Sequence, residues 1–173
     1  MPDYERRTTA TRLDALPEPI RAAVRERADG LQLTLAPEAP AFLTHSRRLK
    51  KPGLFGRLTG TSDKDVEHLT AMVLGNRDIL VATHGDVRGT TVLAARLDDV
   101  EVGALDARIA ELGGTARSDG VSIGGFPVSS EGTTGRGSYY VGLGPPDGEA
   151  ARQRSKTRSG APRRDAQRRS SGA

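Results

Sequence analysis

The stretch from Arg77 to Val102, RDILVATHGDVRGTTVLAARLDDVEV, limits the possible folds more than any other part of the chain. Its two apolar runs, Asp78–Thr83 and Thr90–Leu97, flank the polar turn His84-Gly85-Asp86-Val87-Arg88-Gly89. A parallel crossover needs about a dozen residues or more, so so short a connection makes the two runs an antiparallel pair. Upstream, Val66–Leu74 (VEHLTAMVL) joins the pair through Gly75-Asn76-Arg77, where Gly and Asn tolerate positive φ. The three runs therefore predict an antiparallel meander, and with it a mainly β fold.

Elements on either side extend this frame. Leu13, Leu16, Ile20, Ala23, Val24, Ala28 and Leu31 fall near a 3.6-residue period. Pro17 and Pro19 suit the first turn of a helix and Gly30 its end, which predicts an amphipathic helix over residues 18–29. Leu31, Leu33 and Leu35 alternate with polar residues and predict a half-buried strand, interrupted at Pro37 and Pro40; Ala41–Arg47 predicts another. Residues 48–65 form a long basic connection. Gly103–Gly114 reads as a short helix, Gly120–Val128 and Ser138–Leu143 as strands separated by a flexible SSEGTTGRG, and Asp147 onward as a last helix. Residues 1–12 are polar and expected to fray, giving a flexible N-terminus over 1–16, a domain over 17–155 and a disordered basic tail over 156–173.

Charge divides along the same boundary. Of the chain's formal +4, residues 151–173 carry eight basic groups (Arg152, Arg154, Lys156, Arg158, Arg163, Arg164, Arg168, Arg169) against Asp165, a net +7, which leaves −3 for residues 1–150. The basic character belongs to the tail, and the folded part is mildly acidic. The absence of cysteine excludes disulfides and thiolate metal sites and fits a reducing cytoplasm. Met1-Pro-Asp-Tyr-Glu-Arg-Arg has no apolar run behind its charges, and no run of about 18 apolar residues occurs, so neither a signal peptide nor a membrane span is expected.

The order of elements, the strand exit Ala95-Arg-Leu-Asp-Asp-Val100, two further strands and a terminal helix opened by Gly144-Pro-Pro-Asp147 resemble the bacterial pleckstrin-homology-like (PH-like) domains over roughly residues 41–153. In that family an apolar strand typically runs into a Leu-Asp-Asp-Ile/Val step. The resemblance implies a partly open antiparallel barrel with a short C-terminal helix, here preceded by an N-terminal helix. Two features depart from the family: there is no Trp, and the closing helix offers little apolar surface beyond Ala150 and Ala151. The N-terminal helix, with Leu16, Ile20 and Val24, is expected to cover the opening so left or another apolar face.

The strongest binding candidate is the loop in which Arg47, Arg48, Lys50, Lys51 and Arg57 surround Leu54 and Phe55. The resemblance implies that this first connection is where many eukaryotic members hold phosphorylated headgroups. Basic side chains pair with phosphate oxygens, and the two apolar residues can enter the lipid boundary. The alternative is a solvated loop with Leu54 and Phe55 folded back. The eight tail cations suit non-specific phosphate contact, on membrane or nucleic acid, and have no aromatics with which to read bases.

Other constellations carry less. His45 and His68 lie on neighbouring predicted strands and His84 at a hairpin tip, which does not assemble a metal site, and no cofactor motif is present. Gly132-Thr-Thr-Gly-Arg-Gly-Ser138 lacks the Gly-Lys-Ser/Thr ending of a phosphate loop and precedes a strand, so it reads as a mobile hairpin connection. Asp98 and Asp99, if in a strand, point to opposite faces, and Ser46 beside His45 has no nucleophile-elbow context.

The expectation is a cytoplasmic, non-catalytic binding or scaffolding module that recognises a protein partner or an anionic membrane surface. It would work in the cytoplasm or peripherally, at the inner face of the membrane. The alternatives are a small hydrolase or other enzyme, which a deep polar pocket holding His45, His68 and a carboxylate would favour, and nucleic-acid association through the tail.

Overall fold

A computed structural model describes residues 4–49, 65–103, 119–130 and 133–159. Among the described residues eight strands form two antiparallel sheets. The larger runs in sequence order: β1 (Tyr4–Arg12), β2 (Pro40–Arg48), β3 (Glu67–Leu74), β4 (Asp78–Gly85) and β5 (Gly89–Arg96). The smaller contains β6 (Glu101–Val102), β7 (Gly120–Ser130) and β8 (Thr133–Gly142), with β7 in the middle. Helix α1 (Glu18–Gly30) lies between β1 and β2 in sequence, and α2 (Gly148–Ser159) follows β8. Among the described residues no ladder joins the sheets, so they do not close into a barrel.

The meander is present with continuous registers, Leu74 opposite Ile79 and Gly85 opposite Gly89. Strands β3 and β4 are buried on both faces along most of their length, which explains why both of their alternating residue sets are apolar. On one face Phe42, Met72, Val81 and Leu93 form a cross-strand row facing the smaller sheet, whose Val121, Ile123, Phe126 and Val141 complete that core. The other face presents rows of small residues, Ala41, Ala71, Ala82 and Ala94 among them, so α1 can approach closely and seat Ile20 and Val24 on β4 and β5. The helix thus covers an apolar sheet face.

Beside the inner apolar row runs a second one made of a single residue type. Thr8, Thr44, Thr70, Thr83 and Thr91 stand opposite one another across all five strands. Threonine fits the pleat through its β-branch, but its hydroxyl must find a partner when buried. Thr8 and Thr44 share a hydrogen bond of 2.8 Å, the Gly144 N–H donates to Thr8 Oγ1 (2.9 Å), and Thr83 Oγ1 meets Tyr139 Oη at 2.7 Å.

Several expectations are corrected. Residues 4–12 are not frayed: they form β1, whose nine residues pair with β2 from Tyr4–Arg48 to Arg12–Pro40. The outer edge of β1 is occupied in turn. Thr8 N–H donates to Pro145 O (3.1 Å), Asp147 N–H to Thr8 O (3.1 Å), and Ala10 N–H to Asp147 Oδ2 (2.7 Å). The Gly144-Pro-Pro-Asp147 step therefore caps a sheet edge as well as opening α2. Leu31, Leu33 and Leu35 form no strand, because the chain reverses at Gln32 (φ 56°) and Leu33 N–H bonds back to Ala28 O at 2.8 Å, terminating α1. Leu33 and Leu35 pack instead against the helix–sheet cluster.

The smaller sheet brings two more corrections. The SSEGTTGRG segment is largely strand, with β7 and β8 paired as far as Ser130–Thr133. Gly135 and Gly137 sit across from Val128 and Phe126 in that ladder, so backbone bonds rather than side-chain pattern carry it. Helix α2 continues to Ser159, past the expected start of the tail at Lys156. Its buried face is a stripe of small residues, Gly148, Ala151 and Ser155, with Ser155 Oγ satisfied by Arg152 O at 2.9 Å. The proposed helix at 103–114 falls almost wholly outside the described residues, as does the tail from residue 160.

Candidate functional site

The end of the large sheet where β2 finishes, β3 starts and β4 turns into β5 carries the described part of the basic loop. Arg47 is well exposed and its Nε lies 3.4 Å from Glu67 Oε1. Arg48 closes the ladder, its N–H donating to Val66 O at 2.8 Å. Lys50, Lys51, Leu54, Phe55 and Arg57 lie outside the described residues. Around these roots stand three exposed aliphatic side chains: Leu49 (54% exposed), Val66 (58%) and Val87 (64%).

A carboxylate that sequence reading passed over holds this end together. Asp65, only 3% exposed, accepts hydrogen bonds from Val87 N–H (2.7 Å, Oδ1) and Arg88 Nε (2.8 Å, Oδ2), fastening the β4–β5 turn to the start of β3. A Cβ on Gly85 would fall 2.3 Å from Asp65 Oδ2, so glycine there makes room for the carboxylate. Gly85 was the one available signal, and it reads equally well as a turn residue. The Arg88 side-chain hydrogen bond, with that from Val87, holds the Asp65 carboxyl below its ordinary range.

Because the folded-state pKa is depressed, this contribution to stability is fully present above the unfolded value near 4 and is lost as pH falls through the lower folded value. Asp65→Asn is therefore expected to lower the urea midpoint at neutral pH. It should also flatten the decline on acidification below about pH 4. An unchanged acid slope would show that another group governs it.

The histidines do not converge. His45 and Glu67 are on the outer face with Nε2 2.9 Å from Oε2, both about half exposed. His68 is on the inner face, its ring edge-on to Tyr4 at 5.7 Å. His84 returns to the outer face and bonds Thr90 Oγ1 at 2.8 Å. One strand register thus separates His45 from His68, opposite Leu69 and Ser46 respectively, and they share no pocket. Among the described residues no group of His, Asp and Glu is arranged to hold a metal ion. Asp98 and Asp99 lie in a short 3-10 turn rather than a strand, and each faces an arginine: Arg96 at 3.9 Å and Arg136 at 3.7 Å.

The tail cations divide. Arg152, Arg154, Lys156 and Arg158 belong to α2, where Arg152 faces Glu149 (3.8 Å) and Arg158 donates to Gly75 O (2.6 Å), tying the helix to the β3–β4 turn. Arg163, Arg164, Arg168 and Arg169 lie outside the described residues.

Concave surface gathers around β5. Between α1 and the outer face of β5 is a cleft of about 310 Å³ lined by Ala23, Glu26, Arg27, Gly30, Thr90 and Val92. A second, of about 300 Å³, joins Arg27, Leu31 and Leu33 to Ala94 and to Arg136 of β8. On the inner face a third, about 240 Å³, sets Thr83, Thr91 and Tyr139 around Val81 and Leu93. With this geometry in hand, the chain was compared with protein-family models, curated proteins and solved structures. None of them matches. No helix among the described residues is long and apolar enough to cross a membrane. The functional reading accordingly rests on the geometry alone.

Proposed function

We propose that this protein is a non-catalytic binding module of PH-like type that docks on an anionic membrane surface through the end of the sheet bearing Arg47, Arg48 and the basic loop. The observation that carries this reading is the grouping of Leu49, Val66 and Val87, three exposed large aliphatic residues at one end of one sheet. Scattered single apolar residues are ordinary on a surface, whereas a group rimmed by arginines matches a lipid boundary, apolar below and anionic above. Lys50, Lys51 and Arg57 add cations beside Leu54 and Phe55, and each basic residue near an anionic bilayer contributes about 1 kcal/mol. The meander, the second three-stranded sheet and the closing helix support the PH-like reading, as does the Leu97-Asp-Asp-Val100 step. Cytoplasmic residence, peripheral to the inner membrane face, follows from the same proposal.

Liposome co-sedimentation tests it. The full chain is expected to pellet with anionic vesicles and not with neutral ones, and to be released by salt. The Lys50/Lys51/Arg57→Ala variant should lose most of this binding, and Leu49/Val66/Val87→Ser should weaken it without altering the salt dependence. A chain ending at Ser159, which keeps α2 intact, separates the tail's share. Equal, negligible pelleting throughout would reject membrane docking.

A further inference from the structure

Strand β5 is a sheet edge of an unusual kind. The N–H of Leu97 donates to Arg77 O at 2.8 Å, which fixes the phase of the β4–β5 ladder. With the register running from Asp78–Arg96 to Gly85–Gly89, the backbone groups of Thr91, Leu93 and Ala95 face β4. Those of Thr90, Val92, Ala94 and Arg96 point away from the sheet, where among the described residues no strand pairs with them, although β7 passes close to the Ala94–Arg96 end at Gly125 and Pro127. The opposite edge, β1, is capped by Pro145–Asp147. Proteins ordinarily blunt such edges with proline, lysine or a bulge, yet GTTVLAAR has no proline or lysine and pairs with β4 over eight residues without a bulge.

An added strand sends alternate side chains to the two faces of a sheet, and β5 has clefts on both. Arg27 lines both helix-side clefts, with Glu26 in one and Asp78, Asp99, Arg96 and Arg136 in the other; it is exposed and makes no ion pair or side-chain hydrogen bond among the described residues. We infer that β5 is a docking edge for an extended segment of a protein partner, added as an antiparallel or parallel strand, with an acidic side chain opposite Arg27. Its helix-side neighbours two residues away are apolar, to meet Leu31, Leu33 and Ala94 at one end and Ala23 and Val92 at the other. A second copy of this chain fits less well, because its β5, GTTVLAAR, has no acidic side chain to set against Arg27. This surface begins at Thr90, next to the end proposed to meet the membrane, and runs away from it along β5, and neither inference depends on the other.

The test uses the full chain and capped octapeptides of alternating Val and Thr with Glu, Gln or Lys at one central position, read by fluorescence anisotropy and amide NMR. The Glu peptide is expected to bind at least about tenfold more tightly than the Lys peptide. It should slow hydrogen exchange at Thr90, Val92 and Ala94, whose amides are expected to exchange freely without it. Arg27→Ala should erase the Glu preference. Thr90→Pro removes an outward N–H and the hydroxyl bonded to His84 and should abolish binding while keeping a cooperative melt; Val92→Pro, which also removes a side chain packed against the helix–sheet cluster, is the second variant. Any of four results overturns the inference: no binding of any peptide at about millimolar concentration, binding undiminished by the proline variants, protection of these amides in the free monomer, or concentration-dependent dimerisation through this edge.

Discussion

A chain lacking residues 1–30 is expected to show no cooperative thermal transition. The deletion removes β1 and α1 together, and with them Leu13, Leu16, Ile20 and Val24, each at most 2% exposed. Burying a large aliphatic side chain contributes about 1.5–3 kcal/mol, so the four supply roughly 6–12 kcal/mol. A domain's whole stability is about 5–15 kcal/mol. The loss extends beyond apolar area. Thr44 loses the Thr8 hydroxyl, β2 becomes a bare edge, and Ala71, Ala82 and Ala94 are left facing water. Circular dichroism and calorimetry of the truncated chain check this. Val24→Asp alone, which buries an unpaired carboxylate beneath α1, should reproduce most of the effect with β1 in place. A truncated chain melting like the full-length protein would mean that the helix–sheet core is dispensable.

What could be read in advance, and what could not, follows from where each element gets its hydrogen bonds. The meander was legible because its connections are short and both residue sets of β3 and β4 are apolar, as strands covered on two faces must be. The boundaries of α1 were legible because Pro17, Pro19 and Gly30 act locally. Strand β1 was not, since YERRTTATR contributes one fully buried side chain, Thr8, and is held by β2 on one edge and Pro145–Asp147 on the other. Helix α2 hides its packing face in Gly148, Ala151 and Ser155, residues that a hydrophobic period does not register. Leu31, Leu33 and Leu35 show the converse error. Their alternation is that of a strand, but the backbone there is already committed to ending a helix.

The candidate surfaces divide in the same way. Arg47 and Arg48 were evident as part of a basic run, whereas Val66 joins Leu49 through the β2–β3 ladder and Val87 is drawn in by Asp65, which fastens the β4–β5 turn to the start of β3. The outward backbone groups of β5 have no signature in GTTVLAAR at all. Whether a strand is an edge is a property of the sheet, and even its two alternating side-chain sets are equally compatible with a central position.

The second large effect is expected at Gly125, where β7 passes the Leu97-Asp-Asp-Val100 step. Gly125 has φ +100°, and a Cβ there would lie 2.2 Å from Asp99 O and 3.1 Å from Val100 Cα. The β7–β8 register shifts between Gly124 and Phe126, so the strand bulges here and delivers Phe126, 1% exposed, into the core between the sheets. Gly125→Ala thus meets two costs at once: about 1–3 kcal/mol for a side chain at positive φ, and about 1–3 kcal/mol for overpacking against backbone that cannot swing aside. At about 2–4 °C per kcal/mol for a chain of this size, the melting temperature should fall by roughly 4–24 °C. Gly89 supplies the comparison, with φ +69° and nothing within 4 Å of its added Cβ. Gly89→Ala should carry the backbone cost alone, so the difference between the two variants measures the collision with Asp99. Equal losses would mean that the Asp99–Val100 backbone yields, and that the bulge rather than the close approach is what requires glycine.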